Sequence, residues 1–175
     1  MKMTGAILFL SGALTLPALA TEPPHSCPLH AQHQAQAGHA GHADHFAGVD
    51  RRGDEVMGFS HGRTTHHFLI ESEGGTIQVE ANDSADAQSI QQIRTHLAEV
   101  ARQFSAGDFS MPREIHDRVL PGVPEMVERK EAITWRFEEL DKGGRVVIRT
   151  EDPAAMAAIH SFLEAQIEDH RTGDH

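Results

Sequence analysis

Two adjacent histidines, His66 and His67, lie in the run Thr-Thr-His-His-Phe-Leu-Ile at residues 64–70, whose β-branched and apolar residues predict a strand. Successive side chains of a strand point to opposite faces, so one imidazole should point at whatever packs beneath the sheet. Such a pair is commonly one buried histidine with a hydrogen-bond partner beside one exposed histidine. The chain contains 14 histidines, however, and neutral imidazole is a common metal ligand. We therefore expect a metal site.

The other histidines of the second half of the chain fall in segments with helical periodicity or next to them. At about 100° per residue, His170 lies near the centre of the apolar face of its predicted helix, whereas His96 and His160 lie at the margins of theirs. His116 belongs to a short insertion between the two helical segments. The candidate metal ligands of this part of the chain are His66, His67, His96, His116, His160 and His170.

A second set of candidate ligands precedes this part. Residues 21–54 consist largely of Ala, Gly, Gln, Pro and His, a composition that predicts a disordered arm able to collect metal ions without a preformed geometry. The single cysteine is a spare thiol, half of an intermolecular disulfide or a soft metal ligand. The auxiliary ligands of the arm are Cys27, His25, His30, His33, His39, His42 and His45.

The first 20 residues predict an export signal. Lys2 precedes an apolar run at residues 6–16, and the segment ends in Ala18-Leu19-Ala20, so cleavage is expected after Ala20. No apolar run reaches the length of a membrane span, and the product is expected in the periplasm or outside the cell. The formal net charge of −11 argues against nucleic acid or anionic lipid as a partner and favours cations.

Residues 55–175 are predicted to form an ordered domain with an internal repeat. Segment 68–79 aligns with segment 137–148, and each is followed by an acidic cap and an amphipathic helix. The pairs Gly74-Gly75 and Gly143-Gly144 are expected to supply the positive φ of tight hairpin turns. Two ββα units predict an α+β fold, a four-stranded antiparallel sheet with two helices on one face.

The repeat assigns opposite faces to the two adjacent histidines. In the second unit Trp135 alternates with Arg136, so His66 should take the inward place of the tryptophan and His67 the outward place of the arginine. Two arrangements stay open. Either His66 pairs with His170 between sheet and helices, or His67 pairs with His116 on the open face, beneath the insertion at residues 105–130.

Several of these motifs occur together in a known group. The Thr-Thr-His-His-Phe run at residues 64–68 and the Asp-His-Arg-Thr-Gly-Asp run at residues 169–174 resemble motifs of a group of small exported bacterial proteins of uncertain function. The resemblance covers residues 56–174 and leaves out the histidine-rich arm. It implies the boundaries of the domain and no particular chemistry.

The function that these residues favour is that of a periplasmic metal-binding protein, which captures, stores or hands over its metal to a metal-handling partner protein. Copper is expected ahead of zinc, because divalent copper binds nitrogen ligands most tightly and soft sulfur donors suit the cuprous ion. Those soft donors are Met57, Met111, Met126 and Cys27.

Three alternatives remain open from the sequence. A metal-dependent enzyme would hold an ion with three histidines and use Asp108, Glu114 or Asp117 as base. A non-covalent haem binder would use His66 or His170 as axial ligand. An interaction module would present the open face of the sheet to a partner, with its histidines as a pH switch.

Overall fold

The computed structural model describes the backbone from Pro28 to His175 and the side chains from residue 43 onwards. The chain divides into two units, Met1–Gln36 and Ala37–His175, and the second contains the sheet. The elements in chain order are α1 (Pro28–Met57), β1 (Thr64–Glu71), β2 (Gly74–Ala81), α2 (Ala87–Ser105), α3 (Ser110–His116), α4 (Val123–Glu128), β3 (Ile133–Leu140), β4 (Gly143–Thr150) and α5 (Pro153–His170). Short 3₁₀ turns at His61–Arg63 and Lys130–Ala132 precede β1 and β3.

The four strands form one antiparallel sheet in the order β1-β2-β4-β3, which confirms the predicted α+β fold. Helices α2 and α5 pack against it, and Phe104 of α2 contacts both Trp135 of β3 and Phe162 of α5. The two halves share the order strand, strand, helix, and their duplication stays a prediction. Among the described residues, no helix combines the length and the apolar character that crossing a membrane requires.

Helix α5 positions two groups at its C-terminal end. It begins at Pro153 because the Asp152 carboxylate accepts hydrogen bonds from the backbone N–H groups at the first turn, and proline suits that turn. Its buried face then continues at helical spacing as far as Asp169. The helix ends at His170, and Arg171 adopts a left-handed conformation with φ of 54°.

The glycine pairs follow the hairpin turns instead of occupying their central positions, and of the four glycines only Gly74 has the predicted positive φ, at 144°. The turns are made by residues 72–73 and 141–142, and the glycines open the strands that follow. They are required there because neighbouring backbone comes very close: a Cβ on Gly143 would lie 2.1 Å from the carbonyl oxygen of Val79, and one on Gly74 would lie 2.1 Å from that of Ile148. Close approach of β2 and β4, rather than turn geometry, selects glycine.

Gly143→Ala should therefore lower the free energy of unfolding by about 2 kcal/mol or more, since a backbone carbonyl cannot move aside as a flexible side chain can. Urea denaturation at pH 7 measures the change. Gly62→Ala is a matched control, because the nearest atom to its added Cβ is the Ser60 hydroxyl at 3.7 Å. The control should stay within about 0.5 kcal/mol of the parent protein, and equal losses in both variants would contradict the explanation.

The boundary between a disordered arm and a domain at residues 54 and 55 stays a prediction, although the structure places side chains that precede it in contact with later parts of the second unit. Helix α1 begins at Pro28, and its C-terminal half packs on the rest of the unit. Val49 is fully buried, and the Arg52 guanidinium donates a hydrogen bond of 2.7 Å to the Ile115 carbonyl. The apolar residues Val49, Val56 and Met57 share one helical face, a signal that the Ala, Gly and His composition around them obscured. Residues 21–27 and the predicted signal at 1–20 lie outside the described residues.

Candidate functional site

A small cavity lies between β1, β2, α2, α3 and α5, and four of the six predicted histidine ligands line it. Its volume is about 60 Å³, room for an ion or a few water molecules. The four imidazoles belong to His66, His96, His116 and His170, and we call this space the histidine cavity. Met57 and Met111 also line it, and most of the other lining residues are apolar. None of the described side chains that line it is an aspartate, glutamate, lysine or arginine.

His66 holds the inward position on β1 that the repeat predicted. Its ring stacks on that of His170, with centroids 5.6 Å apart and planes 13° from parallel, and the centroid of the Phe59 ring lies 6.1 Å away. Its Nε2 atom is shut off from solvent and has no hydrogen-bond partner among the described residues. A buried nitrogen of this kind destabilises the protein unless something pairs with it.

His170 stands at the centre of the cluster. Besides stacking on His66, its ring lies 5.3 Å from that of Phe68 and meets that of His116 edge to face at 5.2 Å. His96 approaches from α2, where its ring contacts Phe59 edge to face at 5.6 Å. The C-terminal end of α5 therefore brings together histidines from a strand and from the insertion.

Burial keeps the cavity histidines uncharged. It lowers the pKa of His66 and of His96 to about 4, and that of His170 to about 3, against an ordinary value of 6.5. Neighbouring histidines add to the effect for His66 and His170, because protonating one ring disfavours protonating the next. Burial also lowers the pKa of His116, against an opposing effect from Asp169. At neutral pH all four rings have a lone pair to offer.

His116 is held in one tautomer by a buried carboxylate. Its Nδ1 donates a hydrogen bond of 2.7 Å to Asp169, which also accepts from His45 Nε2 at 3.0 Å and from Arg118 at 2.8 Å. Burial raises the pKa of Asp169, but these hydrogen bonds outweigh it and the pKa is lowered. With the proton of His116 on Nδ1, its Nε2 is the lone-pair nitrogen, as in many metal-binding histidines whose other nitrogen donates to a carboxylate.

His67 and His160 do not reach the cavity. On the opposite side of β1, His67 Nδ1 donates to the Asp174 carboxylate at 2.9 Å, and the same carboxylate accepts from the Phe68 backbone N–H. His160 Nε2 lies 3.0 Å from the carbonyl oxygen of Glu71 and 3.1 Å from that of Gly74, so it pins α5 to the β1–β2 hairpin. Both are explained as structural residues, and the pairing of His67 with His116 is not the one observed.

The other predicted residues are also distributed away from the cavity. Met126 is 1% exposed in the hydrophobic core and does not line the cavity. Asp108, Glu114 and Asp117 lie along a separate surface groove of about 570 Å³. Of the arm ligands, His45 is placed by its bond to Asp169. Cys27 and His25 lie outside the described residues, as do the side chains of His30, His33, His39 and His42.

Sequence reasoning missed two residues that organise the site, Asp169 and Gln166. Both are buried polar residues on the inner face of α5, and the Gln166 side chain interacts with His116 and raises its pKa. The signal was present in the spacing, because Phe162, Gln166 and Asp169 lie at i, i+4 and i+7 on one face. A carboxylate on an apolar face should be expected to have a buried partner.

The described side chains, from residue 43 to the C-terminus, contain no group of three or more His, Cys, Asp and Glu residues arranged to hold a metal ion. The histidine cavity is nevertheless lined by four histidines and two methionines. Comparison with known proteins gives no match, since no family model fits the chain and no curated protein or solved structure is significantly similar to it. The resemblance to exported bacterial proteins stays a prediction.

Proposed function

We propose that this protein binds a transition-metal ion in the histidine cavity, in the periplasm or outside the cell, and that it captures, stores or hands over that ion. Copper is favoured over zinc. The observation that supports the proposal is that four histidines line one small cavity, with the Nε2 of His66 buried and without a hydrogen-bond partner among the described residues. A metal ion would satisfy that lone pair, and the acidic balance of the chain suits a cationic cargo.

The size of the cavity favours an ion over a larger ligand. Pockets for drug-sized molecules measure roughly 300–1,000 Å³, and this cavity measures about 60 Å³. Because the cavity is too small for a ligand of that size, haem is less well supported than a metal ion. The enzyme alternative is also less well supported, because the acidic residues considered as its base line a separate groove.

The arm and the cavity are connected through one carboxylate. His45 of α1 donates to one oxygen of Asp169, and the other oxygen accepts from His116 of the cavity. His45 therefore contacts the residue that orients a cavity ligand. Capture by the arm followed by transfer to the cavity, or to a metal-handling partner protein, is the sequence of events that we propose.

Single substitutions in the cavity should weaken metal binding. We expect His66→Ala and His170→Ala each to lower the affinity of the tightest site for copper at least tenfold, about 1.4 kcal/mol. Competition titrations of the full chain with a chromophoric chelator measure the affinity. His67→Gln is the matched control, because His67 neighbours His66 in sequence yet bonds Asp174 outside the cavity, and it should change the affinity less than twofold. Unchanged affinity in both cavity variants would contradict the proposal.

A further inference from the structure

We propose that the histidine cavity takes the cuprous ion, Cu⁺, and that the ion enters between the thioethers of Met57 and Met111. This inference rests on the proposed function and specifies the cargo of the same site. Three observations support the inference: the kind of donors that line the cavity, their charge, and a surface groove that shares three residues with the cavity.

The charge of the donors favours a monovalent ion. None of the described residues that line the cavity is an aspartate, glutamate, lysine or arginine, and imidazole and thioether bind a metal ion as neutral ligands. The carboxylate closest to them, that of Asp169, already accepts hydrogen bonds from His45, His116 and Arg118. The free energy needed to bury an ion grows with the square of its charge, so a divalent ion would cost about four times as much as a monovalent ion of similar size.

The chemistry of the donors also favours the cuprous ion. Thioether sulfur is a soft ligand that selects Cu⁺, whereas structural Zn²⁺ requires four ligands and Cu²⁺ prefers a tetragonal set of nitrogen and oxygen atoms. Four histidines and two methionines line one small cavity, so they offer a choice of imidazole and thioether ligands within it. A d¹⁰ cuprous ion is satisfied by few ligands, so one imidazole pair with a thioether suffices.

A route from solvent to the cavity passes between soft donors. An open surface groove between the end of α1, α2 and α3 is lined by Met57, His96 and Met111, and these same three residues line the histidine cavity. They form the wall that separates the two spaces. The unbranched methionine side chains can change conformation without moving the backbone, so this wall can admit an ion and also offer it sulfur on the way.

The test compares ions and variants of the full chain under anaerobic conditions. Cu⁺ is titrated against bicinchoninate, and Zn²⁺ and Cu²⁺ against chelators of matched affinity. We expect the tightest site to bind Cu⁺ at least tenfold more tightly than Zn²⁺ or Cu²⁺. The double variant Met57→Leu/Met111→Leu removes both thioethers at nearly constant volume and should lower Cu⁺ affinity at least tenfold. Met126→Leu is the control, because Met126 is equally a methionine but is buried away from the cavity.

Copper X-ray absorption gives a second measurement that packing changes alone would not alter. The parent protein and Met126→Leu should show copper–sulfur scattering, and the double leucine variant should lose it. If Zn²⁺ or Cu²⁺ binds more tightly than Cu⁺, or if the leucine variants keep both affinity and scattering, the cuprous inference fails while metal binding stands. If His66→Ala and His170→Ala bind every ion as the parent protein does, the proposed function fails as well.

Discussion

At pH 5 the metal-free protein is expected to be about 6 kcal/mol less stable than at pH 7, because three histidines stay neutral in the folded state that would be protonated in the unfolded chain. The pKa is about 4 for His66 and His96 and about 3 for His170, against 6.5 when unfolded. Each histidine contributes about 2 kcal/mol to the loss at that pH.

Proton binding explains why the protein loses stability as the pH falls. Below pH 6.5 the unfolded chain binds protons at these histidines and the folded protein does not, so protonation stabilises the unfolded state. The stability that depends on neutral rings is fully present above pH 6.5 and is lost progressively as the pH falls towards 4 and then 3. Small domains are stable by about 5–15 kcal/mol, so the loss is large enough to unfold much of the protein in mild acid.

Urea denaturation at half-unit steps from pH 7.5 to 4.5 measures this dependence. His66→Phe, which places an aromatic ring at the third position of β1, where β3 has Trp135, removes one titrating group and should reduce the loss between pH 7 and 5 by about 2 kcal/mol. Ile93→Val is the control, because it leaves a small cavity in the core and lowers stability equally at every pH. A free energy of unfolding that is constant from pH 7 to 5 would show that the rings are not buried as described.

The same neutral rings connect acid sensitivity with metal binding. A ligand imidazole must be deprotonated, so an ion and a proton compete for one lone pair. Because the folded cavity resists protonation, it remains able to bind an ion at pH values where free imidazoles are already charged. The cavity should hold its metal to lower pH than the arm histidines can.

The sequence was sufficient to locate part of this site. Strand alternation and the correspondence with Trp135 placed His66 on the inner face, and helical periodicity placed His170 on the apolar face of α5. Both inferences succeed because they depend only on local geometry. His116 comes from an insertion without a repeat partner, and only the packing of α3 against α5 brings it to His170.

Other features depended on tertiary contacts that no local pattern specifies. The glycine pairs are typical of turns, yet Gly74 and Gly143 are required by the approach of one backbone to another across β2 and β4. Composition favoured disorder for the region before residue 55, although Val49 is fully buried there. The pairing of Asp169 with His116 spans 53 residues and three elements, so spacing along the chain could indicate a buried carboxylate but not its partner.

Asp169→Ala should lower the free energy of unfolding by about 3–5 kcal/mol, because Asp169 is only 2% exposed and accepts three hydrogen bonds. Its removal leaves the Nδ1–H of His116 buried without an acceptor, and it frees the tautomer of that ring. Urea denaturation at pH 7 gives the change in stability. Glu99→Ala is the control, since Glu99 pairs with Arg102 on the exposed side of α2 and should contribute less than about 1 kcal/mol.

A second substitution separates the pairing from simple loss of packing around Asp169. If the carboxylate acts mainly through His116, adding His116→Ala to the Asp169→Ala variant should reduce stability by clearly less than His116→Ala does in the parent protein. The difference is the coupling free energy of the pair, expected to be about 1–3 kcal/mol for two groups in direct contact. Strictly additive losses would mean that Asp169 stabilises the protein through His45 and Arg118 instead, and that the orientation of His116 has another cause.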